Sequence, residues 1–310
     1  MSPVEPSDVV IVGAGPAGLA AGLYTGRARL ATVILEKLIP GGQTLLTNWI
    51  ENYPGFPDGI APFELIENFR KQAEKFGAVI ESEEVTGLRR EAGSWLVSGR
   101  AREFRTRAVI VATGGAYRKL GVPNEERLAG RGVSYCATCD GAFFRDELVA
   151  VVGGGDNALT EAILLAKFAR KLYVVHRRDK FRAIKILQER VLANPKIEVL
   201  WNSVVESVEG EAQLEKAVIR NLRENRSYDL PLNGLFVSVG VDPHSGIVRG
   251  LVDITDWGEI KVNHDMATSQ QGIFAAGDVA DACPKQVAVA VGSGVTAALS
   301  AIAYLDTLGG

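Results

Sequence analysis

The sequence predicts an α/β chain of two Rossmann-like nucleotide-binding domains, each of the three-layer ββα kind, one inserted in the other. Three observations predict it. A strand–glycine–helix unit opens the chain, and a second begins near residue 148. Apolar strands near the C-terminus then end in glycine, as a return to the first unit requires. At 310 residues the chain is long for one core, so two domains are expected.

Composition narrows the function classes. The net charge of −3 gives no broad attraction to nucleic acid or acidic lipid. No apolar run is read as approaching the roughly 20 residues of a membrane span. The opening M-S-P-V-E-P-S-D lacks the basic and apolar regions of a secretory signal, so a cytoplasmic protein is expected. Three cysteines make no disulfide framework.

The first unit is D-V-V-I-V-G-A-G-P-A-G-L-A-A-G-L-Y, from Asp8. Its apolar run reads as a buried parallel strand. Gly13, Gly15 and Gly18 supply G-x-G-x-x-G, and a helix with small residues toward the sheet follows. A second strand, T-V-I-L-E, ends in Glu36. The glycines permit a tight turn and close approach of a pyrophosphate. The helix N-terminus favours the anion, and Glu36 can accept from a ribose hydroxyl. An acid at this position suits FAD or NAD.

The second unit, L-V-A-V-V-G-G-G-D-N-A-L-T-E-A-I-L-L-A-K-F from Leu148, carries the G-x-G-x-x-A variant at Gly153, Gly155 and Ala158. From Gly13 to Glu36 is 36 − 13 = 23 positions, and from Gly153 to His176 is 176 − 153 = 23. The place of the ribose acid is thus taken by His176, followed by Arg177, Arg178 and Arg182. A carboxylate there would repel a 2′-phosphate; guanidinium groups bind one through charge-assisted bonds, so this unit suits NADPH. A solvated basic helix start is the plainer alternative. A hydride donor and a flavin in one chain is the arrangement of a flavin-dependent reductase.

Between and after these units the chain supplies connecting strands. R-A-V-I-V-A-T-G-G, residues 107–115, reads as a strand running into Thr113-Gly114-Gly115, a return to the first domain and then an exit from it, with a pause near Ala116. I-E-V-L-W and Y-D-L-P-L read as short strands, and G-L-F-V-S-V-G as the exit of the second domain. G-I-F-A-A-G-D-V-A-D, residues 272–281, offers the carboxylate of Asp278 near a cofactor. The last segment reads as a helix of small residues, packed closely, so that the two ends of the chain form one domain around an inserted middle.

Cys136 and Cys139 stand in S-Y-C-A-T-C-D-G. Zinc commonly needs a second pair or suitably spaced histidines, and His176, His244 and His264 show no such spacing. A structural disulfide is disfavoured in a cytosolic chain without a cysteine framework. Inert buried thiols remain an alternative. A redox-active dithiol is the favoured reading: one thiolate attacks a target disulfide and the other resolves the mixed disulfide. Asp140 is a candidate acid or base for the thiol proton, or a helix N-cap.

With these residues on view, the chain resembles the low-molecular-weight thioredoxin reductases of the pyridine nucleotide–disulfide oxidoreductase flavoproteins. G-A-G-P-A-G, E-K-x-x-x-G-G-Q (36–43), E-N-Y-P-G (51–55), C-A-T-C-D, H-R-R-x-x-x-R and F-A-A-G-D-V occur in family order along nearly the whole chain. The resemblance implies an FAD domain of residues 1–116 and 245–310, and an inserted NADPH domain, 117–244, carrying the dithiol. It places Pro16, Ala17, Gly42, Gln43 and Asn52 at the flavin beside the first glycines and Glu36. Thr113, Gly114, Gly277, Asp278, Lys285, Gln286 and Val287 join them from later segments. Asp156 and Asn157 go to the nicotinamide nucleotide with Gly153, Gly155, Ala158 and the His176–arginine group. Cys139 would take electrons from the flavin, Cys136 would attack thioredoxin and Asp140 would handle the proton. A homodimer, and a domain rotation hinged near 116–122 and 241–246, are also implied.

Three departures touch the flavin side only. Lys285-Gln286 stands where an arginine–glutamine pair is usual, keeping the charge without the fork geometry. Cys283 is an additional thiol there, and Gly114-Gly115-Ala116 replaces a commoner triplet. Two other readings stay open. The same core could serve another thioredoxin-like or peroxidase partner, or a donor such as ferredoxin, although the arginine signature argues for NADPH. A non-enzymatic FAD-binding redox sensor is the third.

Overall fold

The computed structural model describes residues 4–47, 49–282 and 284–308. It divides into two compact units, Met1–Ala116 with Asp242–Gly310, and Tyr117–Val241. The return crossing comes three residues earlier than the expected 244/245. His244 explains this: its N–H donates to the Gly114 carbonyl (2.9 Å), and its own carbonyl accepts from Thr113 Oγ1 (2.8 Å). Both bonds tie the residue to the first unit. The crossing strands Gly115–Tyr117 and Val241–Pro243 pair with each other.

In the first unit, Val4–Val12 lies between Thr32–Glu36 and Glu103–Val111, with parallel pairing on both sides. Val9, Val10 and Ile11 are fully buried, because a central parallel strand has both faces covered. Thr32–Glu36 pairs in turn with Val79–Ser82. The strand read as running from Arg107 into Thr113-Gly114-Gly115 begins earlier, spanning Glu103 to Val111. Its first half also pairs antiparallel with Ser94–Gly99, a hairpin strand, and its second half with Ile273–Ala275. Tertiary pairing therefore extended the strand N-terminally, while the glycines at 114–115 lie beyond its end.

The final helix, Val287–Leu308, corrects one expectation. Its 22 residues, with a mean hydropathy of 1.8 over an 18-residue window, are long and apolar enough to cross a membrane by length and composition. Ala290, Ala297, Ala298, Ala301 and Leu305 are buried in the core of the first unit. A Cβ on Gly294 would lie 2.9 Å from the Ala17 Cα, so the glycine lets this helix meet Pro16–Arg27 backbone to backbone.

The second unit has a parallel sheet ordered Ile197–Leu200, Lys171–Val175, Leu148–Val152, Gly234–Val237, Val133–Ser134. Alternate residues of Leu148–Val152 face opposite layers. Val149 and Val151 pack with Ala158, Leu159 and Ala162 of the helix Asp156–Leu165. Ala150 and Val152 pack with Val205, Val208 and Ile219 of an antiparallel sheet, Ser203–Glu209, Lys216–Asn221 and Arg226–Pro231. That gives the expected ββα layering. The strand read as L-Y-V-V-H ends at Val175, before His176.

Candidate active site

The first dinucleotide turn forms where Val4–Val12 meets Pro16–Arg27, with proline at the helix start, where its missing N–H and fixed φ suit the first turn. Gly13 has φ +107 and sits against the Ala112 carbonyl. Nothing lies within 4 Å of a Cβ placed on Gly15, so its outer face is open to a ligand. Glu36 accepts from the Ala14 N–H at 2.9 Å and from the Leu38 N–H at 3.1 Å. The acid thus holds the turn through both of its oxygens.

Around this turn the fold gathers residues far apart in sequence. Gln43 Nε2 reaches Asp278 Oδ2 (3.5 Å), and Asn52 Nδ2 donates to Gln286 Oε1 (3.3 Å). Lys285 Nζ pairs with Glu259 Oε1 at 2.8 Å and reaches the Asp278 carbonyl at 3.5 Å. Burial raises the Asp278 carboxyl, and the charge of Lys285 opposes the rise. Gln43 Oε1 is buried without a partner among the described residues, an acceptor left for a donor from a bound molecule. Gly277, at φ +74, brings its backbone against Ala17, and Ser293 Oγ accepts its N–H (2.9 Å). Gly42 opens the short turn Gly42–Leu46 with φ +55. Val287 packs against Ile50, Ile60 and Leu65. Cys283 lies outside the described residues.

The second turn is built alike and finished differently. Gly153 packs its backbone against Ala158 and the Ser238 carbonyl, where any Cβ would collide. Asp156 and Asn157 are exposed at the helix start, and Asp156 Oδ1 accepts the Ile184 N–H (2.8 Å). The Gly154 carbonyl accepts the Arg182 N–H (2.8 Å), and Arg182 Nη2 comes within 4.0 Å of a Cβ position on Gly155. Arg177, Arg178 and Arg182 are all exposed, and no carboxylate among the described residues pairs with them.

His176 does not join these three. It is 5% exposed, packed against Gly154 and beside Phe181 and Trp201. Its Nε2 lies 3.0 Å from the Lys180 carbonyl. Burial, then the charges of Arg178 and Arg182, holds the ring below its ordinary value, hence neutral. It shapes the arginine loop from within rather than offering a cation to a phosphate.

Cys136 and Cys139 are joined as a disulfide, with Cα atoms 5.3 Å apart. Cys136 caps the short helix Ala137–Asp140, and its Sγ accepts the Cys139 N–H at 3.2 Å. Ala137, 2% exposed, anchors that helix against Ala158 and Ala162. Ser134 is the residue sequence reasoning missed here. Its hydroxyl donates to Asp140 Oδ2 (2.6 Å) and accepts the Cys136 N–H (3.1 Å). Asp140 makes no side-chain capping bond, so the N-cap alternative falls away.

A disulfide across two intervening residues on a short helix and two dinucleotide turns in one chain are what a pyridine nucleotide-disulphide oxidoreductase contains, and residues 7–294 match the model of that family. The chain belongs to the pyridine nucleotide-disulphide oxidoreductase family. Its curated relatives include a thioredoxin reductase of Streptomyces coelicolor, 44% identical over 97% of this chain and 94% of that protein. Another, from Treponema pallidum, is 42% identical over 97% and 98%. Among solved structures, thioredoxin reductase from Streptococcus pyogenes MGAS5005 superposes with a TM-score of 0.94 at 42% identity, covering 98% of this chain and all of that one. The enzyme from Giardia duodenalis gives 0.92 at 34% identity, covering 97% and 99%.

Membership makes the chain an oxidoreductase and implies a flavin and a nicotinamide nucleotide. The residues fit both groups: the open face at Gly15 and the unpartnered Gln43 Oε1 suit the first turn, and the exposed arginines suit the second. Lys285, where the family pattern has arginine, is engaged with Glu259, a partner the sequence pattern did not flag.

Proposed function

We propose that the protein is an NADPH-dependent thioredoxin-disulfide reductase, with FAD in the first unit, NADPH in the second, and the Cys136–Cys139 pair as the redox centre. The observation that carries the reading is the bonded pair on a short helix, with Ser134 holding both Asp140 and the Cys136 backbone. The three exposed arginines beside the Gly153–Gly155 turn support NADPH over NADH, since an unpaired guanidinium cluster suits a 2′-phosphate. FAD would rest on the Gly13–Gly18 turn with Glu36, and with Gln43, Asp278 and Lys285. When bound, it supplies two-electron chemistry between a hydride donor and a disulfide.

The protein's own residues do the rest. Two electrons arriving at the disulfide break its S–S bond and leave both cysteines reduced. The Cys136 thiolate then attacks a disulfide sulfur of thioredoxin. One bond forms, the partner's bond breaks, and the leaving thiolate takes a proton, for which Asp140 is the nearby carrier. The Cys139 thiolate attacks Cys136 Sγ, restoring the intramolecular bond and releasing the second partner thiol. A homodimer and a cytoplasmic location accompany this reading.

An anaerobic titration tests it. NADPH is added to the purified yellow protein, the visible absorbance is followed, and thioredoxin is then supplied. Bleaching at low NADPH, weak bleaching with NADH, and recovery of colour on adding oxidised thioredoxin are expected. Cys136→Ser should keep the bleaching and lose the recovery. A flavin that neither nucleotide bleaches would overturn the donor, and bleaching without recovery would overturn the partner.

A further inference from the structure

Glu125 is a buried carboxylate that the chemistry above leaves unused. Its side chain is 1% exposed, a setting unfavourable to a charge unless hydrogen bonds satisfy it. Four donors do. Oε1 accepts from the Leu120 N–H at 2.9 Å and the Tyr135 hydroxyl at 3.0 Å. Oε2 accepts from the N–H of Gly121 at 2.8 Å and of Val122 at 3.4 Å. The three amides follow the crossing strand Gly115–Tyr117, and Tyr135 directly precedes Cys136. A second contact joins the same two segments: the Tyr117 and Tyr135 rings stack at 5.6 Å, tilted by 18°. Burial and the adjacent Glu125 raise the Tyr135 phenol, so it remains a donor at neutral pH.

A carboxylate needed only to close its own loop would be served by the three amides. The tyrosine adds a tether to the residue before the attacking sulfur. We propose that Glu125 and Tyr135 are positioning residues that fasten the main chain at Cys136 to the segment entering the second unit, and so set how the sulfur is presented. The inference rests on the reading of Cys136 as the attacking thiol.

Tyr135→Phe tests it, because the ring and its stack remain while the hydroxyl goes. The flavin-loaded protein is reduced with dithiothreitol. Alkylation of Cys136 by iodoacetamide is timed by peptide mapping, and hydrogen exchange is read at residues 120–122. Steady-state turnover with thioredoxin is measured alongside. Losing a hydrogen bond to a charged group should raise exchange at 120–122 and lower thioredoxin kcat, each about tenfold, and change Cys136 alkylation at least threefold. The KM for NADPH and the bleaching of the flavin should not move. Glu125→Gln, which opposes an amide N–H₂ to the loop donors, should exaggerate these effects. If it fails to fold, Tyr135→Phe still decides. Exchange and alkylation within about twofold of the parent would overturn the proposal. A parent protein without thioredoxin turnover would overturn the partner assignment instead, leaving the alkylation comparison to judge this one.

Discussion

Glu161→Gln isolates the effect of keeping a carboxyl beneath the second dinucleotide turn. Glu161 projects from the helix Asp156–Leu165; Ser238 donates to its side chain, while Oε2 is buried with no partner among the described residues. Burial pushes the group up from 4.5 to about 7, opposed only by the Ser238 bond. Such an acid holds its proton longer folded than unfolded, so its contribution to stability is full below 4.5 and falls as pH rises through the window up to about 7. At about 1.4 kcal/mol per pH unit the loss reaches about 3 kcal/mol above that window. Glutamine has no ionised form, so the variant lacks this slope while every other group titrates alike in both proteins. Urea midpoints at about pH 5 and about pH 8 read the difference. The variant should gain about 2–3 kcal/mol relative to the parent between the two conditions. An unchanged difference at both values would refute the argument that burial alone sets this group's titration.

Three further substitutions address the nucleotide loop, the acid and the helix contact. Arg177→Ala with Arg178→Ala should raise the KM for NADPH at least about tenfold and that for NADH less than about threefold; equal weakening of both would remove these arginines from the 2′-phosphate. Ser134→Ala should lower thioredoxin turnover about tenfold while NADPH still bleaches the flavin, since Asp140 and the Cys136 amide each lose a partner. Normal turnover would leave Ser134 a structural residue only. Gly294→Ala should push the final helix off Ala17, costing roughly 1–3 kcal/mol of stability in denaturant titration; a neutral result would mean the helix can shift without loss.

Much of the site was legible because its signals are local. Gly13–Gly18, Gly153–Ala158 and the Cys136–Cys139 spacing each specify geometry within one turn or one short helix, where steric rules act over a few residues. Element ends were less legible. The strand Glu103–Val111 begins early because of its pairing with Trp95–Ser98, and the small residues of Val287–Leu308 signalled close packing without disclosing that the partner is the helix Pro16–Arg27.

By itself, then, the sequence determined the two dinucleotide turns, the reactive pair and the arginines beside the second turn, since each depends on residue type at short spacing. Only the tertiary structure decided the role of His176, whose residue type allowed a phosphate contact but whose burial against Gly154 turns the ring inward. It also decided the partners of Asp140 and Glu125, and joined Gln43 to Asp278 across 235 positions. The physical reason is the same in each case: hydrogen bonds and desolvation depend on which groups the packed chain brings together, and no pattern of neighbours along the sequence encodes that.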